Sequence, residues 1–295
     1  MFRPSFVPHS LLKSALPVGA MLAAMVCFQV GASFAKNLFA SVGPQGATAL
    51  RLVFAAIILT AVNRPWRKPE RSTPRWAVLG FGVAIACATL CFYTAISTIP
   101  LGVAIAVQFA GPLALAVVTS RRTTDFLMVG LAAAGILMLL PWSAAAGRID
   151  PVGIGFAMAA AVGWAGYIVF GKAAGAGGQG RAVTLGTLVA AVIVAPIGFA
   201  HAGAALFNPA LLPTAIIVAL ITTVAPMSLE MFALTRLSTA IFGVLSSLEP
   251  AVGVTAGFVM LHEHLTSLQL IAIAAVIAAS VGTVLTHKVA NAPVS

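Results

Sequence analysis

Long apolar runs without charge alternate along the chain with short segments that hold lysine, arginine or proline. The first run, 17–35, has nineteen residues without a charge, close to the ~20 that a membrane-spanning helix needs. The run 76–120 has forty-five, enough for two spans with a turn at 99–102. This pattern predicts an all-α membrane protein of ten transmembrane helices. Their predicted ranges are 17–35, 46–63, two helices within 76–120, 126–142, 152–171, 182–201, 211–234, 240–261 and 265–286.

Composition agrees with this pattern. Hydrophobic residues make up 61% of the chain and charged residues 7%, with a mean hydropathy of +1.08, whereas soluble domains are ~25% charged. The net charge of +10 is spread over short loops without a basic stripe, so we predict no nucleic-acid partner. The three cysteines lie in apolar runs, where packing is expected rather than a disulfide or a metal site.

The basic residues also predict an orientation. With ten spans, thirteen of the sixteen lysines and arginines fall on the side that holds both termini. The basic side of a multi-pass protein is normally cytoplasmic. We therefore expect both termini in the cytoplasm and a lipid bilayer around the helices. The glycine-rich segment 174–180 lacks the Lys-Ser/Thr of a phosphate loop, and we predict a flexible connector there.

Short motifs repeat at a nearly constant offset. Phe34-Ala35-Lys36 matches 170–172 at an offset of 136, and Gly111-Pro112 matches 249–250 at 138. The repeat predicts two halves, 1–145 and 146–295, with five helices each. Because five is odd, the second half enters the membrane from the opposite side. Inverted repeats are typical of secondary transporters, whose substrate site lies at the midplane between the halves.

Arg51 and Gln108 are polar residues at membrane depth. Only twelve residues without a charge separate Arg51 from Arg64, so Arg51 must lie inside a helix. Two interpretations stay open: a clamp on a substrate carboxylate, or an arginine whose head group reaches the outer interface. Gln108 precedes Pro112 by four residues, and it either contacts substrate or bridges two helices.

Glu249 and Glu230 are two of only six acidic residues. A carboxylate at mid-membrane costs at least ~2.5 kcal/mol, so its retention indicates a use. Glu249 is predicted to receive a substrate ammonium or the coupling proton, and Pro250 beside it disrupts the helix. A buried ion pair is the alternative. Glu230 lies nearer the cytoplasmic end, where a structural role competes with proton coupling.

The remaining candidates are aromatic or solvated. Tyr93 and Trp164 are candidate cavity walls, although packing or interface anchoring is the common role of aromatic residues in membrane helices. His262-Glu263-His264 lacks metal-site spacing and is predicted to be a solvated turn. The sequence indicates no cofactor, no metal and no nucleophile–base pair, so an enzyme is disfavoured.

Taken together, these residues resemble the drug/metabolite transporter superfamily, with two EamA-type halves. The branch that the chain resembles contains bacterial inner-membrane exporters of threonine and homoserine. Its pattern has an acidic residue at the position of Gln108. The resemblance implies efflux of small neutral amino acids against protons, with import or another metabolite as the runner-up. The motifs that carry it are Ala35-Lys36, 48–52, 98–102, 109–112, 120–122, 228–237, Glu249-Pro250, Glu263 and Gln269.

Overall fold

The computed structural model describes residues 9–67, 73–99, 101–120, 122–139, 150–252, 255 and 267–289. Within these ranges the backbone is helical with short turns and has no strand, which confirms the predicted all-α class. The helices are α1 (His9–Asn63), α2 (Arg75–Ala95), α3 (Leu101–Thr119), α4 (Thr123–Leu139), α5 (Pro151–Gly175), α6 (Gln179–Ala202), α7 (Leu212–Ala219), α8 (Ala225–Leu234), α9 (Thr239–Ser246) and α10 (Ser267–Val289).

Within the described ranges, ten apolar helical segments correspond one to one to the ten predicted spans. Five of them are long and apolar enough to cross a membrane, and five are shorter. The longer segments are Leu38–Asn63, Arg75–Ala95, Pro151–Gly175, Gln179–Phe207 and Pro209–Leu234. The shorter ones are Ala15–Phe28, Val103–Thr119, Thr123–Met138, Thr239–Val252 and Leu270–Thr283.

The first two predicted spans form one kinked helix. α1 has 55 residues, and only Gly43 departs from helical geometry, at φ 70° and ψ 173°. The predicted loop at 36–45 is therefore wrong, because 36–42 contains no glycine or proline and the helix continues through it. Glycine adopts the positive φ at the kink without a steric penalty, and Pro44 begins the second segment.

The glycine-rich connector is shorter than predicted. α5 runs to Gly175 and α6 begins at Gln179, so only 176–178 lie between the two helices. Gly178 takes a φ of 123°, which residues with a side chain rarely adopt. The start of α5 is fixed by Asp150, whose side chain accepts a hydrogen bond from the Val152 N–H at 3.0 Å.

A π turn interrupts the span between α7 and α8. Leu220–Val224 form this turn, and the N–H of Ala225 bonds the carbonyl of Leu220, five residues back. Pro226 follows, and its missing N–H cannot serve the carbonyl of Thr222, four residues before it. The predicted uninterrupted helix at 211–234 is wrong at this point.

A second interruption lies beside Glu249. α9 ends at Ser246, Ser247 forms a turn, and helical backbone resumes over 248–252. Pro250 has no N–H for the carbonyl of Ser246, as the sequence predicted. The Val244 carbonyl nearby accepts from the hydroxyls of Ser247 at 2.5 Å and Ser280 at 3.4 Å. α10 therefore helps to satisfy the backbone at this break.

Glycines let the helices approach closely. A Cβ added at Gly111 of α3 would lie 2.0 Å from the Ala161 carbonyl oxygen of α5. One at Gly163 would lie 2.6 Å from the Ala88 nitrogen of α2. Small residues at helix crossings are the usual device of membrane bundles. α5 is thus held against both α2 and α3, and these three helices supply walls of the cavity described next.

Candidate functional site

One cavity of about 80 Å³ lies among the helices. All five side chains that the sequence singled out for substrate contact line it, namely Arg51, Tyr93, Gln108, Trp164 and Glu249. They come from α1, α2, α3, α5 and the helical residues 248–252, so only the tertiary fold brings them together. The other lining residues are Phe28, Ala88, Thr89, Phe92, Thr222 and Met227.

Arg51 is buried, with 5% of its surface exposed. One terminal nitrogen donates to the Tyr93 hydroxyl at 3.2 Å, and the guanidinium carbon lies 5.1 Å from the centre of the same ring. Phe39 packs edge-on against Tyr93 with 4.9 Å between ring centroids. The Arg51 Nε is buried and has no hydrogen-bond partner among the described residues. A buried N–H without an acceptor is costly, and a carboxylate in the cavity would satisfy it.

Gln108 and Trp164 form a second bonded pair in the cavity lining. The Trp164 indole N–H donates to the Gln108 Oε1 at 3.1 Å. Indole nitrogen only donates, so the Gln108 oxygen is the acceptor of this bond and the Gln108 amide NH₂ remains a donor. Gln108 is itself 5% exposed. The pair explains why an amide is retained on an otherwise apolar helix: Gln108 both fixes an aromatic wall and offers a donor at the cavity.

Among the described residues that line the cavity, Glu249 supplies the only carboxylate. It follows the turn at Ser247 and is partly buried. No basic side-chain nitrogen of the described ranges lies within 4.0 Å of its carboxylate. Arg51 and Glu249 thus line the same cavity without neutralising each other.

Glu230 lies outside the cavity lining, in the core. It is 5% exposed, and its Oε2 accepts a hydrogen bond from the Tyr167 hydroxyl at 2.8 Å. Tyr167 is 1% exposed and packs against Phe81 and Trp164, with ring centroids 4.9 and 5.1 Å away. Trp164 therefore touches the cavity on one side and the Glu230–Tyr167 pair on the other. Nothing in the sequence pointed to Tyr167 as the partner of Glu230.

Comparisons with known proteins identify the family. The profile of the EamA-like transporter family matches residues 151–285. The threonine/homoserine exporter RhtA of Escherichia coli (strain K12) is 44% identical over 284 residues, which cover 96% of each chain. RhtA of Salmonella typhimurium (strain LT2) is 44% identical over 273 residues, 92% of each chain. This chain belongs to the EamA-like transporter family. The family that its motifs predicted is thereby confirmed.

A solved crystal structure shares the fold of this EamA-like transporter. The two superimpose with a TM-score of 0.74 at 18% identity, and the match covers 94% of this chain and 99% of the other. Together with the five helices of membrane-spanning length, the family makes this chain a multi-pass membrane protein.

Two threonines of the transporter's cavity wall were not predicted. Thr89 donates its hydroxyl proton to the Ile85 carbonyl at 2.7 Å, and Thr222 donates to the Val218 carbonyl at 2.6 Å. Such bonds to the preceding turn are common for threonine in helices. Their sequence signal is therefore the same as that of any helical threonine, and only the π turn distinguishes Thr222.

Polar contacts tie helix ends together on the side predicted to be cytoplasmic. Arg181 at the start of α6 donates to the carbonyls of Pro65 and Arg67, the latter at 3.4 Å. The Asn63 amide donates to the Thr184 hydroxyl at 2.9 Å. These bonds join the end of α1 to the start of α6, far from the cavity in sequence and in helix position.

The described residues contain no group of three or more His, Cys, Asp or Glu side chains able to hold a metal ion. His262-Glu263-His264 lies outside the described residues. All three cysteines are free, and the Cys87 thiol donates to the Ala159 carbonyl at 3.4 Å, which is a packing contact between α2 and α5.

Proposed function

We propose that this transporter exports threonine, homoserine and similar small neutral amino acids across the bacterial inner membrane, driven by protons. The observation that carries the proposal is the pairing of Arg51 and Glu249 at one small cavity. An amino acid is a zwitterion, and the two side chains offer a cation for its carboxylate and an anion for its ammonium. The two RhtA relatives bear the name of this activity.

The state of Arg51 supports a ligand rather than a head group at the interface. Its side chain is 5% exposed, and no acceptor in the described part of the chain reaches the buried Nε. An arginine that reached the membrane surface would expose its guanidinium to water. A carboxylate bound at the fork would accept from Nε and one terminal nitrogen together, the bidentate geometry that arginine favours.

The size of the cavity favours a metabolite over a drug. Pockets for drug-sized ligands enclose ~300–1,000 Å³, whereas this cavity has about 80 Å³. Its walls combine the aromatic rings of Phe92 and Trp164 with a few polar groups. A molecule of the size of threonine suits this space.

Glu249 is the proposed coupling group. A proton that arrives from outside binds the carboxylate, which then no longer holds the ammonium of the substrate, and the amino acid is released outward. When the cavity faces the cytoplasm, Glu249 gives up the proton and accepts the next ammonium. One proton enters for each amino acid that leaves. Glu230 is the second candidate for a proton site, through its bond to Tyr167.

Alternating access requires two halves that rock about the cavity, and we propose the halves 1–145 and 146–295 as an inverted repeat. The packing supports this. α2 packs against α5, and the equivalent pair, the first segment of α1 and the π turn, meets at Gly31. Helices that the proposed repeat would relate to each other also pack together. These pairs are α1 with α6, α3 with α9 and α4 with α10. Both termini are proposed to be cytoplasmic.

The test is efflux from proteoliposomes loaded with labelled threonine under an imposed pH gradient. We expect efflux that is faster with acid outside and is lost when the gradient is abolished. In Glu249→Gln the amide keeps the shape, so the protein should stay folded while proton-driven efflux falls at least tenfold. Full activity of Glu249→Gln would rule out the coupling role. Uptake of threonine instead of efflux under the same gradient would favour import.

A further inference from the structure

We infer that Thr222, presented by the π turn, selects the substrate by accepting a hydrogen bond from its side-chain hydroxyl. The inference rests on the proposed function and goes beyond it. Arg51 and Glu249 recognise the groups that all amino acids share, so neither separates a hydroxy amino acid from an aliphatic one. Thr222 lines the same cavity and offers an oxygen for the part of the substrate that differs.

The hydroxyl of Thr222 can only accept toward the cavity. A hydroxyl has one proton to donate, and Thr222 donates it to the Val218 carbonyl, with 2.6 Å between the two oxygens. Its lone pairs remain available. Thr89 on another wall is committed in the same way, to the Ile85 carbonyl at 2.7 Å. A ligand that meets these walls must therefore bring a donor, which a hydroxyl does and a methyl group does not.

The orientation of Thr222 is fixed. The residue is 3% exposed, and its methyl group lies against Gly31 of α1, where an added Cβ would be 2.2 Å from Cγ2. The methyl therefore packs on bare backbone and cannot exchange places with the hydroxyl without losing that contact. A side chain held in one rotamer makes a sharper discrimination than a mobile one, because no entropy is lost when the ligand binds.

The hydrogen-bonding groups around the cavity fit a hydroxylated zwitterion. Donors come from Arg51 and the Gln108 amide, and acceptors from Glu249, Thr89 and Thr222. The substrate carboxylate and ammonium account for Arg51 and Glu249. Thr222 differs from Thr89 in its backbone, because Pro226 has no N–H to donate to the Thr222 carbonyl. The Thr222 hydroxyl oxygen is thus the acceptor that we assign to a hydroxyl on the substrate.

Threonine and valine provide the test, because they differ only by a hydroxyl in place of a methyl group. The readout is the concentration of each that halves the exchange of labelled homoserine in proteoliposomes. In the parent protein we expect threonine to compete about tenfold better than valine, the value of one hydrogen bond. In Thr222→Val that preference should fall below about twofold, through weaker competition by threonine. Thr222→Ser keeps the oxygen and should retain most of it.

Thr223→Val is the matched control. Thr223 is 0% exposed, its hydroxyl is buried without a partner, and it is absent from the cavity lining. Its valine variant should keep the parent preference. A preference that survives in Thr222→Val, or one that disappears in Thr89→Val instead, would overturn the inference. So would a parent that exchanges threonine and valine equally well, although export would then still stand. A parent that exchanges no amino acid would refute the proposed function itself.

Discussion

Glu230 and Arg51 are both buried and each bonds a tyrosine, yet they differ in whether a hydrogen-bonding group stays unsatisfied. Glu230 is held by Tyr167 at 2.8 Å within packed aromatic rings and lies outside the cavity lining. Arg51 bonds Tyr93 at 3.2 Å and lines the cavity, and its Nε finds no partner among the residues that the structure describes. Burial and a tyrosine partner are common to both. The unsatisfied donor at the cavity wall is what distinguishes a ligand site from a core contact.

The difference shows why depth alone is a poor guide to function. A charge inside a membrane helix indicates that something must compensate it, but not whether the compensation comes from the protein or from a substrate. For Glu230 the protein supplies a donor. For Arg51, one N–H has no acceptor among the described residues, and an acceptor can reach it from the cavity. Substitutions that separate transport from stability can test this contrast.

The largest effect is expected for Arg51→Lys. Lysine keeps the charge and loses the planar fork, so a bidentate contact to a carboxylate becomes a single one. We expect transport to fall about 10- to 100-fold, the value of one hydrogen bond to a charged group. The measurement is threonine efflux corrected for protein in the membrane. Arg181→Lys is the control, because Arg181 donates to backbone carbonyls away from the cavity. Equal losses in the two variants would contradict a specific role for Arg51.

A change in stability rather than transport is expected for Tyr167→Phe. The substitution leaves the Glu230 carboxylate buried without its donor, at a cost of about 1–3 kcal/mol. Thermal unfolding in detergent should show a lower midpoint, while efflux per folded molecule stays near that of the parent. Tyr93→Phe is the comparison. Its main loss should appear in transport, with a smaller fall in the midpoint, because Arg51 lines the cavity, where water can replace the lost hydroxyl, and keeps the aromatic ring beside it. The opposite assignment of the two effects would reverse the contrast.

The smallest effect is expected for Glu230→Gln. The amide oxygen can still accept from Tyr167, so we expect efflux within about threefold of the parent. The pH dependence of efflux, measured beside Glu249→Gln, is the decisive readout. If Glu230→Gln abolishes proton-driven efflux and Glu249→Gln does not, the coupling proton travels through the core pair and not through the cavity.

Charged residues in apolar runs were the part of the site that could be predicted from sequence. Charged side chains are rare in such runs because burying a charge in the membrane costs free energy, so Arg51 and Glu249 could be identified from the sequence. The structure places both at one cavity. Tyr93, Gln108 and Trp164 followed from polarity or aromatic size. Thr222 did not, because a threonine that bonds its own helix looks the same in sequence whether or not its oxygen faces a cavity.

Helix continuity was the least predictable part of the fold. The loop expected near Lys36 is helical backbone, since the break needed a positive φ and only Gly43 supplies it. The π turn before Pro226 has no distinct sequence pattern of its own. Proline indicates that a carbonyl loses its donor, but whether the chain responds with a kink, a π turn or a short turn depends on the neighbouring helices.

The π turn also has an evolutionary consequence. Such a turn holds one residue more than the α-helical turn it replaces, and one residue corresponds to a rotation of about 100° around the helix axis. In a continuous α-helix, either Thr222 or Glu230 would keep its direction, but not both. The loss of a single codon between 220 and 224 would therefore separate the cavity wall from the Glu230–Tyr167 bond. A one-residue deletion in this helix would thus change the direction of one of these two side chains while leaving the identity of every other residue unchanged, which no single substitution does.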